Sequence, residues 1–105
     1  MALHSIFNAL GDPTRFGIVQ QLLENGELTA GELAEPFDMS RPAISRHLKI
    51  LEDAGVIERR IDRQFRVFRV NQSGFQEVQD WFEQNRRFWN ASIDRLTRLM
   101  EKEVK

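Results

Sequence analysis

The chain has 105 residues, no cysteine and a formal net charge of −1. That length supports one modest core and leaves no room for a second domain, while the missing cysteines exclude disulfides, thiolate metal sites and thiol redox chemistry. No apolar run approaches the roughly 18 residues of a membrane span and nothing near Met1 is built like a signal peptide, so a soluble cytoplasmic protein is expected.

The near-neutral total conceals a gradient. Met1 to Asp38 holds one basic residue, Arg15, against six acids, whereas Met39 to Val70 holds eight arginines and lysines against four acids, a net +4. From Asn71 onward the charges balance at six and six. A basic middle third in a neutral chain is a localised electrostatic surface.

Leu3, Ile6, Phe7 and Leu10 recur at the spacing of one helical stripe, which Gly11 ends. Asp12-Pro13 supplies an N-cap followed by proline at the first helical position, so a second helix is predicted from Pro13 to about Glu24 and stopped by Asn25-Gly26. Its apolar residues Phe16, Ile18, Val19, Leu22 and Leu23 point several ways, which predicts a central, buried helix. Thr29 to Glu32 reads as a capping box opening a short third helix that ends near Pro36. Ser40 caps a fourth helix over 41–54, where Pro42 is tolerated in the first turn and Gly55 closes the end.

Residues 56–61 and 65–70 are β-branched and aromatic runs separated by Asp62-Arg63-Gln64, a hairpin with a charged tip spanning 56–70. Ser73 to Gln76 reads as another capping box, from which one long helix runs almost to Lys105. The expected architecture is mainly α with a small β-hairpin (α+β), in the order α-α-α-α-β-β-α. Residues 1–105 form a single domain in this reading, with 71–105 as a C-terminal dimerisation helix.

On a helical wheel, Ile44, Leu48, Leu51 and Gly55 fall within about 40° of one another and make the buried stripe of the fourth helix. Pro42, Ser45, Arg46 and Lys49 occupy the other side, with Arg41 at its edge, and no acid precedes Glu52. A helix with short polar and cationic side chains near its N-terminus suits the DNA major groove, where arginine takes guanine O6 and N7 together. Such a face could equally be merely solvated. The hairpin argues otherwise, because Arg59, Arg60, Arg63, Arg66 and Arg69 lie in or beside it and can line an outer face while Val56, Phe68 and Val70 fill the core. His47 sits on the apolar flank of the wheel, a position for a structural or phosphate-contacting role rather than base reading.

The stretch SRPAISRHLKILEDAGVIERR, preceded by FNALGDPTRFGIVQQLL and LTAGELAEPFDM, resembles the ArsR/SmtB family of winged helix-turn-helix repressors. The Ser-x-His-Leu-x-x-Leu pattern of Ser45 to Leu51 is its most specific part. WFEQNRRFWNASIDRLTRLMEK is similar to the metal-independent autorepressor branch. The resemblance implies a homodimer that represses transcription, its own operon's included, by binding double-stranded operator DNA of pseudo-palindromic form. It places Ser40, Arg41, Ser45 and Arg46 among the reading residues and Arg63 and Gln64 at the wing tip. Together with Pro42, His47, Lys49 and Arg60 these form the expected DNA-binding set.

Founding members of that family bind metal through cysteines near the third helix or through histidines and carboxylates on the last. Here the histidines are His4 and His47, the last helix has none, and no cofactor or metal is expected. An organic inducer at a dimer interface is an alternative, with Phe7, Trp81, Phe82, Phe88 and Trp89 as its lining. An enzyme is not expected, since there is no cysteine nucleophile, glycine-rich phosphate loop or carboxylate pair in a cleft. A winged helix serving only protein contacts is the other rival, but it would place apolar residues where Ser45, Arg46 and Lys49 stand.

From Phe75 to Met100 the apolar residues fall within an arc of about 140° on one continuous helix, about 46 Å long if it reaches Lys105. One small domain cannot cover that stripe. The expected dimer interface comprises Leu3, Ile6, Phe7, Trp81, Phe82, Phe88, Trp89, Ile93, Leu96 and Met100.

Overall fold

The computed structural model describes residues 2–103; Met1, Val104 and Lys105, which the expected domain and terminal helix include, lie outside the described residues. In chain order the elements are α1 (Leu3–Leu10), α2 (Pro13–Asn25), β1 (Glu27–Thr29), α3 (Ala30–Ala34), α4 (Arg41–Asp53), β2 (Ile57–Asp62), β3 (Phe65–Val70), α5 (Gln72–Gln84) and α6 (Arg86–Glu103).

Local chemistry sets most of the boundaries. Asp12 accepts the Arg15 amide at 3.0 Å ahead of Pro13, which starts α2. Thr29 and Glu32 form the reciprocal capping box of α3, at 3.2 and 2.9 Å. Ser40 caps α4 by accepting the Ala43 amide at 3.3 Å. At the other end of α4, Gly55 takes φ 81°, its amide bonds to Glu52 O and the Val56 amide bonds to Leu51 O, each at 3.0 Å. That pair of bonds satisfies two carbonyls the helix would otherwise orphan, and a side chain at Gly55 would strain the turn.

The core gathers Ile6 and Ala9 of α1, Ile18, Val19 and Leu22 of α2, Leu33 of α3, and Ile44, Leu48 and Leu51 of α4. Val56, Ile57 and Phe68 complete it from the sheet side. Each such large side chain contributes about 1.5–3 kcal/mol by leaving water. The expectation that all the apolar residues of α2 are buried is corrected: Phe16 and Leu23, seven residues apart and so on one face, are 51% and 57% exposed.

Three further expectations change. First, the hairpin is part of a three-stranded antiparallel sheet of order β1-β3-β2, because Glu27, Leu28 and Thr29 pair with Arg69, Phe68 and Val67. Val56 precedes the strand, and the turn shortens to Arg63-Gln64 since Asp62 pairs with Phe65. Second, α5 is capped by Asn71, which accepts the Ser73 amide at 3.1 Å, rather than by a Ser73–Gln76 box. Third, the terminal helix is two helices. At Asn85 (φ −106°, ψ 11°) the backbone amide is shared between Trp81 O and Phe82 O, and the side-chain amide also donates to Trp81 O at 2.8 Å. An asparagine that turns its carboxamide back onto the preceding turn competes with helix continuation. The order is therefore α-α-β-α-α-β-β-α-α, still a helix-turn-helix with a β-wing.

The start of α5 is pinned to the end of α4. The Asn71 amide donates to Val56 O at 2.9 Å, and Gly74 is buried so close to Gly55 that a Cβ there would collide with the Gly55 carbonyl oxygen. Gly74→Ala is therefore expected to lower stability by about 1–3 kcal/mol, read as a fall in urea midpoint at unchanged slope. Gly31→Ala, whose Cβ meets nothing nearer than Thr29 Oγ1 at 3.9 Å, is the control and should be neutral or mildly stabilising. Equal midpoints for Gly74→Ala and the wild type would contradict this packing.

Candidate nucleic-acid interface

α3 and α4 form the helix-turn-helix, joined by the turn through Pro36 and Ser40. Burying Ile44, Leu48 and Leu51 leaves Arg41, Pro42, Arg46 and Lys49 exposed on the other side of α4, with Ser45 half-buried at the boundary. The first turn presents backbone amides without intrahelical partners and the positive end of the helix dipole, both favourable to phosphate. Ser40 is exposed and uses its oxygen as the cap, leaving its hydroxyl hydrogen to donate.

The wing register divides the arginines. Ile57, Arg59 and Ile61 share one face with their partners Val70, Phe68 and Arg66, the face that reaches α4. Arg59 pairs there with Glu52 of α4 at 3.3 Å, and Arg66 donates to Ser45 Oγ at 3.4 Å. The opposite face carries Arg60 and Arg69. Arg60 meets Glu27 of β1 at 2.9 Å and Asp62 at 3.7 Å, and Arg69 pairs with Glu58. Hydrogen bonding and charge from Arg60 hold the Glu27 carboxyl below the usual carboxylate range. The expectation that all the wing arginines line one outer face is thus corrected: a two-residue alternation places them on both faces, and three are ion-paired.

Among the described residues no carboxylate pairs with Arg41, Arg46 or Arg63. Arg63 holds φ 59° at the wing tip beside exposed Gln64. A left-handed residue other than glycine costs about 1–2 kcal/mol, so the tight turn carries a cation where glycine or asparagine would sit more comfortably. Arg41 and Ser45 line one open cleft with Arg66, between α3, α4 and the wing. Lys49 lies further along α4 and is engaged by Asp53 at 3.3 Å.

His47 is turned away from this surface toward α2. Its Nδ1 lies 3.4 Å from Arg15 Nη1 and 3.8 Å from Asp12 Oδ2. The Arg15 amide, then the charge of the Arg15 guanidinium, depress the Asp12 carboxyl. Arg15, Arg66 and Glu27 were not among the expected site residues. Arg15 had a legible signal as the only cation in an acidic stretch; Arg66 and Glu27 depend on strand register.

The expected dimer residues form a second surface. Phe7 meets Trp81 edge-on at 5.7 Å between ring centroids, Trp81 touches Phe82 and Trp89, and Phe88 packs on Trp89 at 5.0 Å. Along α6, Ile93, Leu96 and Met100 are 62%, 59% and 59% exposed. Leu3 is half-buried. Ile6 is corrected: at 0% exposure it belongs to this chain's own core.

A family model described as a helix-turn-helix domain matches residues 10–60. The chain is 40% identical over 79 residues to the transcriptional repressor SdpR of Bacillus subtilis (strain 168), covering 75% of this chain and 87% of that protein. It is 34% identical over 97 residues to the HTH-type transcriptional regulator Rv2034 of Mycobacterium tuberculosis (strain ATCC 25618 / H37Rv), covering 92% and 87%. A crystal structure of an ArsR family transcriptional regulator superposes with a TM-score of 0.75 at 35% identity, covering 84% of this chain and 90% of that one. With a helix-turn-helix, a wing and these relatives, the chain belongs to the ArsR family of DNA-binding transcriptional regulators and is not an enzyme.

Proposed function

We propose that the protein is a homodimeric repressor, acting on its own promoter among others, that binds a pseudo-palindromic operator without a metal effector. The observation that carries this reading is one surface: exposed Arg41 and Arg46 in the N-terminal half of α4 and exposed Arg63 at the wing tip, none of which pairs with a carboxylate among the described residues, stand on the helix-turn-helix and wing where a duplex would meet them. Arg41 and Arg46 approach base edges in the major groove, with Ser40, Pro42 and Ser45 packed beside them. Arg63 and Gln64 follow the backbone from the wing. Lys49 and Arg60 are weaker contributors because Asp53 and Glu27 already hold their charges. Autoregulation rests on the similarity of the C-terminal segment to the metal-independent autorepressor branch. The comparison that tests the whole reading is a mobility-shift titration of the gene's own promoter against unrelated DNA at several salt concentrations.

Arg41→Ala and Arg46→Ala should each cost about 1–3 kcal/mol in operator binding and relax preference at one position per half-site. Arg63→Ala should instead weaken specific and non-specific binding alike and lower the slope of log affinity against log salt by about one unit. Unchanged operator affinity in both α4 variants would remove that helix from the reading role.

A second copy is proposed as the partner of the apolar surface. Contiguous apolar patches of this kind are uncommon on monomers, and no described residue of α6 is buried by its own chain. Pairing Phe7, Trp81, Phe82, Phe88, Trp89, Ile93, Leu96 and Met100 with their symmetry mates gives an isologous interface and sets two α4 helices to successive grooves about 34 Å apart. Replacing Trp89 and Leu96 together by glutamate should yield a monomer by sedimentation and abolish specific binding. Full operator affinity in that double variant would overturn the dimer.

Independence from metal rests on the absence of cysteine and, among the described residues, of any group of three His, Cys, Asp or Glu side chains able to share an ion. Operator affinity should be the same with zinc, with a chelator and with neither. A tenfold change on adding stoichiometric zinc would reinstate a metal effector.

A further inference from the structure

Arg15 stands in the first turn of α2, yet its guanidinium reaches both neighbouring helices. Nε donates to Ala9 O at 2.7 Å and Nη2 to Asn8 O at 3.5 Å, so one side of the fork closes the C-terminal turn of α1. Ala9 O is among the orphan acceptors of a helix end, Asn8 O beside it also accepts the Gly11 amide at 3.2 Å, and a cation is favoured there by the dipole. Nη1 faces His47 Nδ1 of α4 at 3.4 Å, and Asp12, which receives the Arg15 amide, faces the same imidazole nitrogen at 3.8 Å. With Nδ1 accepting from the guanidinium, the ring hydrogen is on Nε2.

We infer that Arg15 is a positioning residue for operator binding, holding the recognition helix in rotation against α1 through His47. The apolar stripe of α4 decides which face is buried, but non-directional dispersion contacts define the last degrees of rotation about the helix axis less sharply than a polar contact does. A planar guanidinium with its donors in a rigid fork is directional, and a lysine cannot span the same acceptors. His47 follows Arg46 directly in the chain, so a rotation of α4 that releases the imidazole also re-aims the adjacent groove-facing arginine. The same guanidinium fixes the turn of α1 that carries Phe7 toward Trp81, so the apolar surface and the recognition helix share one polar link.

This inference rests on the operator-binding reading, and the test separates the two. Operator and non-specific binding are titrated against salt for the wild type, Arg15→Gln, Arg15→Lys, His47→Gln and the Arg15/His47 double glutamine variant. Arg15→Gln is expected to weaken operator binding about tenfold, the range of a coupling between sites, with non-specific affinity and salt slope unchanged. His47→Gln should do the same, the double variant should be no worse than the worse single, and Arg15→Lys should not rescue. Unchanged operator affinity, whatever the melting temperature does, overturns the proposal. So does a slope lower by about one unit, which would make Arg15 or His47 a phosphate contact. Additive single effects would also refute the link. Failure of the operator reading would show as a wild type without sequence preference. The nitrogen NMR signals of the His47 ring then decide: Nδ1 should report an acceptor in the wild type and shift in Arg15→Gln, and identical signals would overturn the contact.

Discussion

Burial of Ile44, Leu48 and Leu51 along one side of α4 is the constraint on which the rest depends. A helix can be apolar over only part of its circumference and still be soluble, so what those three residues bury decides what the other side presents. The Ser40 cap and the Gly55 turn fix where the helix begins and ends and hence the register of that face. The α4–β2 turn also delivers β2 directly, so the wing is held to the recognition helix by continuous backbone, by Arg59–Glu52 and by Arg66–Ser45. The side chains proposed to meet DNA are positioned by packing on the opposite side of α4.

Charge is economised on the same principle. A chain with net charge −1 gains no general attraction to a polyanion, and the local cations must do that work without being cancelled by their neighbours. β1 is instructive here. By bringing Glu27 beside Arg60 it removes a wing cation from the pool, while Glu52 and Glu58 engage Arg59 and Arg69. Such exposed pairs contribute little stability, typically about 0–1 kcal/mol each. Their effect is spatial: within the helix-turn-helix and wing, the cations without a carboxylate partner among the described residues are Arg41, Arg46 and Arg63, with Arg66 beside Ser45. A surface that attracted DNA everywhere would spend its affinity on non-specific sequence.

Features governed by nearest neighbours were legible in the sequence. Asp12-Pro13, Thr29-x-x-Glu32 and Ser40 each announce a helix start through hydrogen bonds that span three residues, and the α4 stripe follows from helical period alone. Features settled by distant partners were not. Glu27-Leu28-Thr29 is too short to show alternation and becomes a strand only because β3 offers it a free edge. The wheel that joined Phe75 to Met100 was blind to Asn85, a polar residue in a permitted position whose carboxamide stops the helix locally. Ile6 and Phe7 belong to one sequence stripe, yet one is sealed in the core and the other is 41% exposed, because α2, α4 and α5 close over α1 from one side. Arg60 and Arg66 looked alike until register assigned them to opposite faces.

The break at Asn85 changes what the C-terminal segment is for. A single rigid helix from α5 would carry its apolar stripe wherever α5 pointed, but two helices allow α6 to take its direction from what covers it. α6 spans 18 residues and buries none of its described side chains within the chain. A helix of that length is only modestly stable in water by itself, since nucleation is unfavourable and most helical stability in proteins comes from packing an amphipathic face. Its attachment to the domain runs through Trp89, which leans on Trp81 and Phe82, and through Trp81 to Phe7. In the proposed dimer, ordering of α6 and association of two chains are therefore one event: the stripe that stabilises the helix is the stripe that binds its mate. Phe7 stands at the inner end of that aromatic chain, and Arg15 caps the turn of α1 just beyond it while also facing His47 of α4, so contacts run without a gap from α6 to the helix proposed to face DNA.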